Sequence, residues 1–236
     1  MKLLKTIERI VFPSRCVFCT EVLPFGNKEL ICDECTARIE EISGIICEKC
    51  GRPIRYHGQC RQCNSTKHRF DTAFSVYLYK DEVRSAIHRF KYGSKGSYAA
   101  YFGRAMATFA DYNDVPFVDY VVPVPVHKSR LRRRGFNQSE LLARVYAEHR
   151  DETVLNLLVR IKHTKAQSGL NTAQRLENIK GAFALADTDE NIKGKTVLLI
   201  DDIFTTGSTV DECTRVLKKA GISKVYVLCL SIRDID

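Results

Sequence analysis

Tryptophan is absent from the 236 residues, methionine occurs twice and proline six times. No Pro, Ser or Gln tract interrupts the chain. With 28% charged and 44% hydrophobic residues, the composition excludes wholesale disorder and supplies enough apolar material for a folded core. No apolar run approaches the ~20 residues that a membrane helix needs, so no membrane span is expected. The start lacks the continuous apolar stretch and small-residue cleavage site of a secretory signal, and residues 1–12 instead read as a short amphipathic helix interrupted by Lys5, Glu8 and Arg9. Export is therefore not expected, and the cytoplasm is the expected compartment. Acids are in deficit: 28 Asp and Glu against 37 Lys and Arg leave a formal charge of +9.

Cysteine is unevenly spread. Eight of the ten fall in four Cys-x-x-Cys pairs, Cys16 with Cys19, Cys32 with Cys35, Cys47 with Cys50 and Cys60 with Cys63, while Cys213 and Cys229 stand alone. Two intervening residues let both sulfurs converge on one tetrahedral ion, so four pairs supply two closed four-cysteine zinc sites of a structural kind, with no coordination position left for catalysis. Disulfides are the alternative, disfavoured in a reducing compartment. Sequential pairing needs loops of 12 and 9 residues between partners, and a cross-braced arrangement stays open because spacing does not fix connectivity. Each loaded site carries a net −2, which lowers the formal charge to about +5. Few large apolar residues lie between the knuckles, so residues 14–66 are expected to bury little without metal. Removing the metal should unfold them and leave the downstream core folded. Cys213 and Cys229 read as small buried residues.

From about residue 67 the composition changes to apolar runs alternating with amphipathic stretches. Strands are expected over residues 73–79, 119–125, 196–202 and 224–232, and helices over 81–92, 98–112, 137–148 and 207–220. This alternation predicts an α/β fold, a parallel sheet flanked by helices, with its ligand site at the C-terminal ends of the strands. The domains are expected at 1–66 and 67–236.

The most informative segment is residues 197–210. An apolar strand delivers Asp201 and Asp202 to its end, and Thr205, Thr206, Gly207, Ser208 and Thr209 then lead into a helix. Small residues let backbone amides curl round an anion, hydroxyls add donors, and the helix N-terminus adds positive potential, so the segment reads as a phosphate cradle. The acids at its rim are suited to ribose hydroxyls or to a hydrated Mg2+. It is not a Walker loop, which needs Gly-Lys-Ser/Thr.

An apolar strand, two acids and a Thr-Thr-Gly-Ser-Thr loop resemble the phosphoribosyl pyrophosphate (PRPP) signature of the phosphoribosyltransferases. With the four knuckles, and with Phe90-Lys-Tyr-Gly93, Val122-Pro-Val-Pro125, Arg134-Gly-Phe-Asn-Gln138, Thr164-Lys-Ala-Gln-Ser-Gly-Leu170 and Arg175-Leu-Glu-Asn178, the whole chain resembles the ComF family of competence proteins. The resemblance implies a double zinc ribbon fused to a type I phosphoribosyltransferase domain, with PRPP and Mg2+ as ligands and a role in DNA uptake and natural transformation. It further implies a ComFA-like ATP-dependent helicase as partner. Asp201 and Asp202 are then the catalytic candidates and Thr205 to Thr209 the phosphate loop.

The run His127-Lys-Ser-Arg-Leu-Arg-Arg-Arg-Gly135 reads as a loop with five cations in seven positions. By the resemblance it holds pyrophosphate, which makes His127, Lys128, Arg130 and Arg134 candidates; a solvated basic loop and contact with a nucleic-acid backbone remain alternatives. Residues 162–175 read as a mobile segment. The resemblance makes it a lid whose Lys162, Thr164, Lys165, Gln167 and Arg175 face pyrophosphate, the alternative being an exposed loop without function. Phe18, Tyr56, Phe90, Tyr92 and Phe136 are available to stack on the bases of single-stranded DNA, with packing in the protein core as the alternative. No general base stands out; His88 and His127 are the histidines in suitable company. Two function classes follow: a phosphoribosyltransferase with unknown acceptor, or a non-catalytic scaffold that binds single-stranded DNA and the helicase.

Overall fold

The computed structural model describes residues 13–93, 95–164 and 172–234. The helix expected over residues 1–12, and Lys165 and Gln167 of the expected lid, lie outside the described residues.

The N-terminal part forms two lobes, each made of two cysteine knuckles and one short helix. Helix α1 (Asp33–Arg38) starts directly after Cys32, and α2 (Arg61–Ser65) directly after Cys60. In each lobe the first knuckle is closed by a backbone bond, Thr20 N–H to Cys16 O and Gly51 N–H to Cys47 O, both at 2.9 Å.

Downstream, the elements are β1 (Thr72–Leu78), α3 (Asp81–Tyr92), α4 (Lys95–Tyr112), β2 (Tyr120–Pro123), α5 (Lys128–Arg134), α6 (Gln138–Arg150), β3 (Leu158–Arg160), α7 (Thr172–Ile179), β4 (Phe183–Leu185), β5 (Thr196–Phe204), α8 (Ser208–Lys219) and β6 (Lys224–Ile232). Four strands pair in parallel in the order β1-β6-β5-β2, as the alternation predicts. β3 and β4 form a separate antiparallel pair that the sequence reading does not anticipate.

The unbroken apolar run of β5 is what a strand covered on both faces requires. Successive residues divide between the two faces. Leu198 and Ile200, with Leu228 and Leu230 of β6, pack under α3, α4 and α6. Val197 and Leu199, with Val225 and Val227, pack under α8. Cys213 and Cys229 are fully buried in that second layer, as expected. Pro123 is tolerated because β2 lies at the sheet edge, where a missing N–H costs little.

The basic run is a helix and not the expected loop. His127 Nδ1 accepts the Ser129 N–H at 3.3 Å as an N-cap, Gly135 ends the helix at φ 79°, and the Arg, Lys and Leu residues between them are strong helix formers.

The other sheet edge, β1, is covered by the cysteine lobes. Ile42 N–H donates to Val76 O at 2.7 Å, and Ala73 N–H to Lys49 O at 2.9 Å. At Gly51 a Cβ would stand 2.7 Å from the Ala73 carbonyl, so only glycine permits this approach. Val17, Phe18 and Leu23 of the first lobe join the layer under α3 and α4, while Ile42, Cys47 and Cys50 of the second join the layer under α8. Phe18 lies edge-on to Tyr77, Tyr101 and Phe102 at ring distances of 6.0, 5.4 and 5.9 Å. Residues 14–66 therefore do bury apolar side chains, against the sheet layers. Their few apolar side chains are spent on the sheet and not within the lobes.

Candidate functional site

Cys16, Cys19, Cys32 and Cys35 bring their sulfurs within 4.8 Å of one another, and Cys47, Cys50, Cys60 and Cys63 do the same. Pairing is thus sequential. The sulfurs of Cys19 and Cys32 stand 3.6 Å apart, and those of Cys50 and Cys60 3.7 Å. Four sulfurs at ~2.3 Å from one zinc are ~3.8 Å apart along each tetrahedral edge, whereas disulfide sulfurs are ~2.05 Å apart. Cys60 N–H also donates to Cys47 Sγ at 3.2 Å, a backbone bond that ties the two knuckles of this lobe together. The donor sets fit two closed zinc sites of four thiolates each.

A cleft of about 1420 Å3 opens at the C-terminal ends of β2 and β5. Its floor is the turn from β5 into α8. Gly207 takes φ 76°, and a Cβ there would stand 2.7 Å from the Phe204 ring and 3.1 Å from His68, so both conformation and space demand glycine. The hydroxyls of Thr206 and Ser208 are 2.7 Å apart and buried, while Thr205 and Thr209 line the cleft.

The acid pair borders this turn. Burial, and then the neighbouring Asp202, push the Asp201 carboxyl above the ordinary range, even though Ser139 Oγ and the Asp202 N–H donate to it at 3.0 and 2.9 Å. Lys91 Nζ of α3 stands 2.8 Å from Asp202 Oδ2.

Nine Arg and Lys side chains line the cleft against three Asp. Burial, and then Arg130, push Arg160 down to about 10; burial, and then Arg134 and Arg133, lower Arg130. Arg175 is lowered by burial and then by Arg233. Burial is the first cause in all three, and the neighbouring guanidinium groups add to it, so these cations are both desolvated and crowded. Among the described residues, the buried Nε atoms of Arg134, Arg160 and Arg175 have no hydrogen-bond partner, which leaves N–H donors unmet beside a cationic cleft. A multiply charged oxyanion supplies what this arrangement lacks.

Of the residues expected in the site, the cleft brings together Asp201, Asp202, Thr205, Thr209, Arg130, Arg134, Thr164 and Arg175. His127 caps α5 and packs edge-on to His163 at 5.1 Å, outside the lining. Lys128 is exposed on the outer side of α5. Lys162 Nζ turns to the Lys180 carbonyl at 3.1 Å. His88 lines the cleft wall on α3. Among the aromatics, Phe18, Phe90 and Phe136 are core residues, and Tyr56 and Tyr92 are exposed. Sequence reasoning misses Lys91, Arg160, His163 and Arg233. Lys91 sits within a quoted motif, but nothing in the sequence distinguishes it from a solvated helix lysine.

Among the described residues no helix is long and apolar enough to cross a membrane. The double zinc ribbon domain matches residues 7–64, and the phosphoribosyl transferase domain matches residues 133–234. The chain is 30% identical to competence protein F of Haemophilus influenzae over 92% of this chain and 96% of that protein. It is 33% identical to competence protein ComFC of Bacillus subtilis over 82% and 80%. To the DNA utilization protein YhgH of Escherichia coli it is 28% identical over 94% and 98%.

Proposed function

The chain belongs to the ComF family of competence proteins, a double zinc ribbon joined to a phosphoribosyltransferase domain, and from this we propose that it binds PRPP with Mg2+ in the cationic cleft and serves DNA uptake in the cytoplasm. The observation that carries the reading is the set of unpartnered, buried Nε atoms on Arg134, Arg160 and Arg175 beside the hydroxyl turn and the acid pair. The turn from Thr205 to Thr209 takes the 5-phosphate, Arg130, Arg134 and Arg175 take the diphosphate, and Asp201 and Asp202 take ribose hydroxyls or hydrated Mg2+. Lys91 holds Asp202 in the free chain and yields to the incoming cation. The reaction that suits these groups is transfer of the 5-phosphoribosyl group to a nitrogenous acceptor: its C1–O bond to pyrophosphate breaks, a C1–N bond forms, and pyrophosphate leaves.

A second reading has its own support. Lys128 and Arg132 are exposed on α5 outside the cleft lining, beside the 42% exposed Leu131, while Arg133, also exposed, belongs to the cleft lining. On this reading the chain is a non-catalytic scaffold for single-stranded DNA and a helicase. One experiment separates the two: calorimetry of PRPP with and without Mg2+, pyrophosphate release with candidate acceptors, and single-stranded DNA binding across a salt series. Arg175→Gln and Asp202→Asn are each expected to weaken PRPP·Mg2+ by about 1–3 kcal/mol. Unchanged affinity in both refutes the cleft assignment. DNA held by α5 should lose about 0.7 from its log–log salt slope for each phosphate contact removed by Lys128→Ala or Arg132→Ala, both outside the cleft lining.

A further inference from the structure

The second cysteine lobe touches the hydroxyl turn directly, through residues set by its metal ligands. Gln62 lies between Cys60 and Cys63, and Arg52 follows Cys50 by two positions. The Arg52 backbone is tied to the ligand set, since Cys47 N–H donates to Arg52 O at 2.7 Å. Its guanidinium, in a residue only 4% exposed, donates from Nη2 to Thr205 O at 3.4 Å and to Gln62 Oε1 at 3.3 Å, and from Nη1 to the Arg233 carbonyl. Gln62 Nε2 donates to Thr206 O at 3.3 Å. These acceptors are the carbonyls of the first two residues of the turn.

That placement has a stereochemical result. In a trans peptide the C=O and N–H point in opposite directions, and no described peptide bond is cis. Drawing the Thr205 and Thr206 carbonyls toward the lobe turns the Thr206 and Gly207 N–H groups away from it. A turn that hinges on glycine at positive φ has little intrinsic preference to hold them so.

We propose that Arg52 and Gln62 are positioning residues which aim the amides of the hydroxyl turn, coupling the second set of cysteine ligands to the phosphate subsite. The inference rests on the turn being that subsite, as argued above. Plain docking of the lobe needs no bonds to these carbonyls, and the two explanations differ in what a conservative change does. Gln62→Glu keeps the acceptor for Arg52 but sets a carboxylate oxygen against the Thr206 carbonyl. Arg52→Lys keeps the charge but cannot bridge three acceptors.

The test uses the full chain loaded with zinc and reads amide hydrogen exchange at residues 205–209 without ligand, beside PRPP·Mg2+ affinity by calorimetry. Both variants should exchange about tenfold faster at the turn and bind about tenfold more weakly, the scale of one lost hydrogen bond. Metal content and exchange at α1 should be unchanged, and Arg61→Gln, on the exposed start of α2, should match the parent. Parent-like exchange at the turn in Gln62→Glu with metal retained would overturn the proposal, as would a uniform acceleration across lobe and turn. If the parent binds no PRPP, the PRPP reading fails separately, and the exchange rates still decide whether the two residues hold the turn.

Discussion

Replacing Phe18 by alanine tests whether the cysteine lobes and the sheet unfold as one unit. The side chain is 2% exposed and sits edge-on among Tyr77, Tyr101 and Phe102. Burying an aromatic ring of this kind removes about 150–200 Å2 from water, near 4 kcal/mol at ~25 cal/mol per Å2. Alanine keeps only a fraction of that, and the edge-on contacts add more, so a loss of about 3–5 kcal/mol is expected. For a chain of this size each kcal/mol moves the melting midpoint by about 2–4 °C, which puts the shift near 10 °C. With no tryptophan present, far-ultraviolet circular dichroism is the suitable probe, since its signal comes chiefly from the helices packed on the sheet. Zinc content should be measured in parallel. If the main transition keeps its parent midpoint in a variant that retains its metal, the lobes are a tethered module and the shared-core reasoning is wrong.

Two further outcomes follow from the sites. Native mass spectrometry should find two zinc ions per chain, whereas a metal-free chain whose mass shows four disulfides would exclude both zinc sites. Because burial and Asp202 raise the Asp201 carboxyl, the folded chain keeps a proton that the unfolded chain releases near pH ~4. The resulting stability is full below that value and is lost as pH rises through the folded value. Between about pH 5 and 7.5 the ligand-free parent should therefore lose more thermal stability than Asp201→Asn, and parallel profiles would contradict the assignment.

What can be read in advance depends on whether the signal is local. The run Val197 to Ile200 announces a buried strand because four successive apolar residues need cover on both faces. The knuckles announce metal because two-residue spacing is what chelation requires. The turn is legible for the same reason, since glycine, hydroxyls and acids lie within nine positions. The helix at Lys128–Arg134 reads wrongly as a loop because its start is an imidazole cap, and charge density draws attention from helix propensity. β3 and β4 are three residues each, too short for alternation to show. Lys91, Arg52 and Gln62 are invisible in the sequence because their partners, Asp202, Thr205 and Thr206, lie more than 100 positions away. Phe18 is undervalued because one ring cannot make a core, yet it can complete one built by other segments.

The cover that the cysteine lobes give to β1 also bears on synthesis. β1 is seven residues, Thr-Ala-Phe-Ser-Val-Tyr-Leu, with no charge, proline or glycine, the composition that pairs indiscriminately when left open. Its sheet neighbour, β6, begins at Lys224, about 150 residues later, so at ~5–20 residues per second the strand waits roughly 8–30 s on the ribosome for that partner. The lobes, encoded immediately before it, emerge first. Once they have captured zinc, their Ile42 N–H and Lys49 carbonyl are a ready template on one edge of β1. Metal supply during translation, and not only in the finished protein, is thus expected to set how long this one edge of an adhesive strand stays bare.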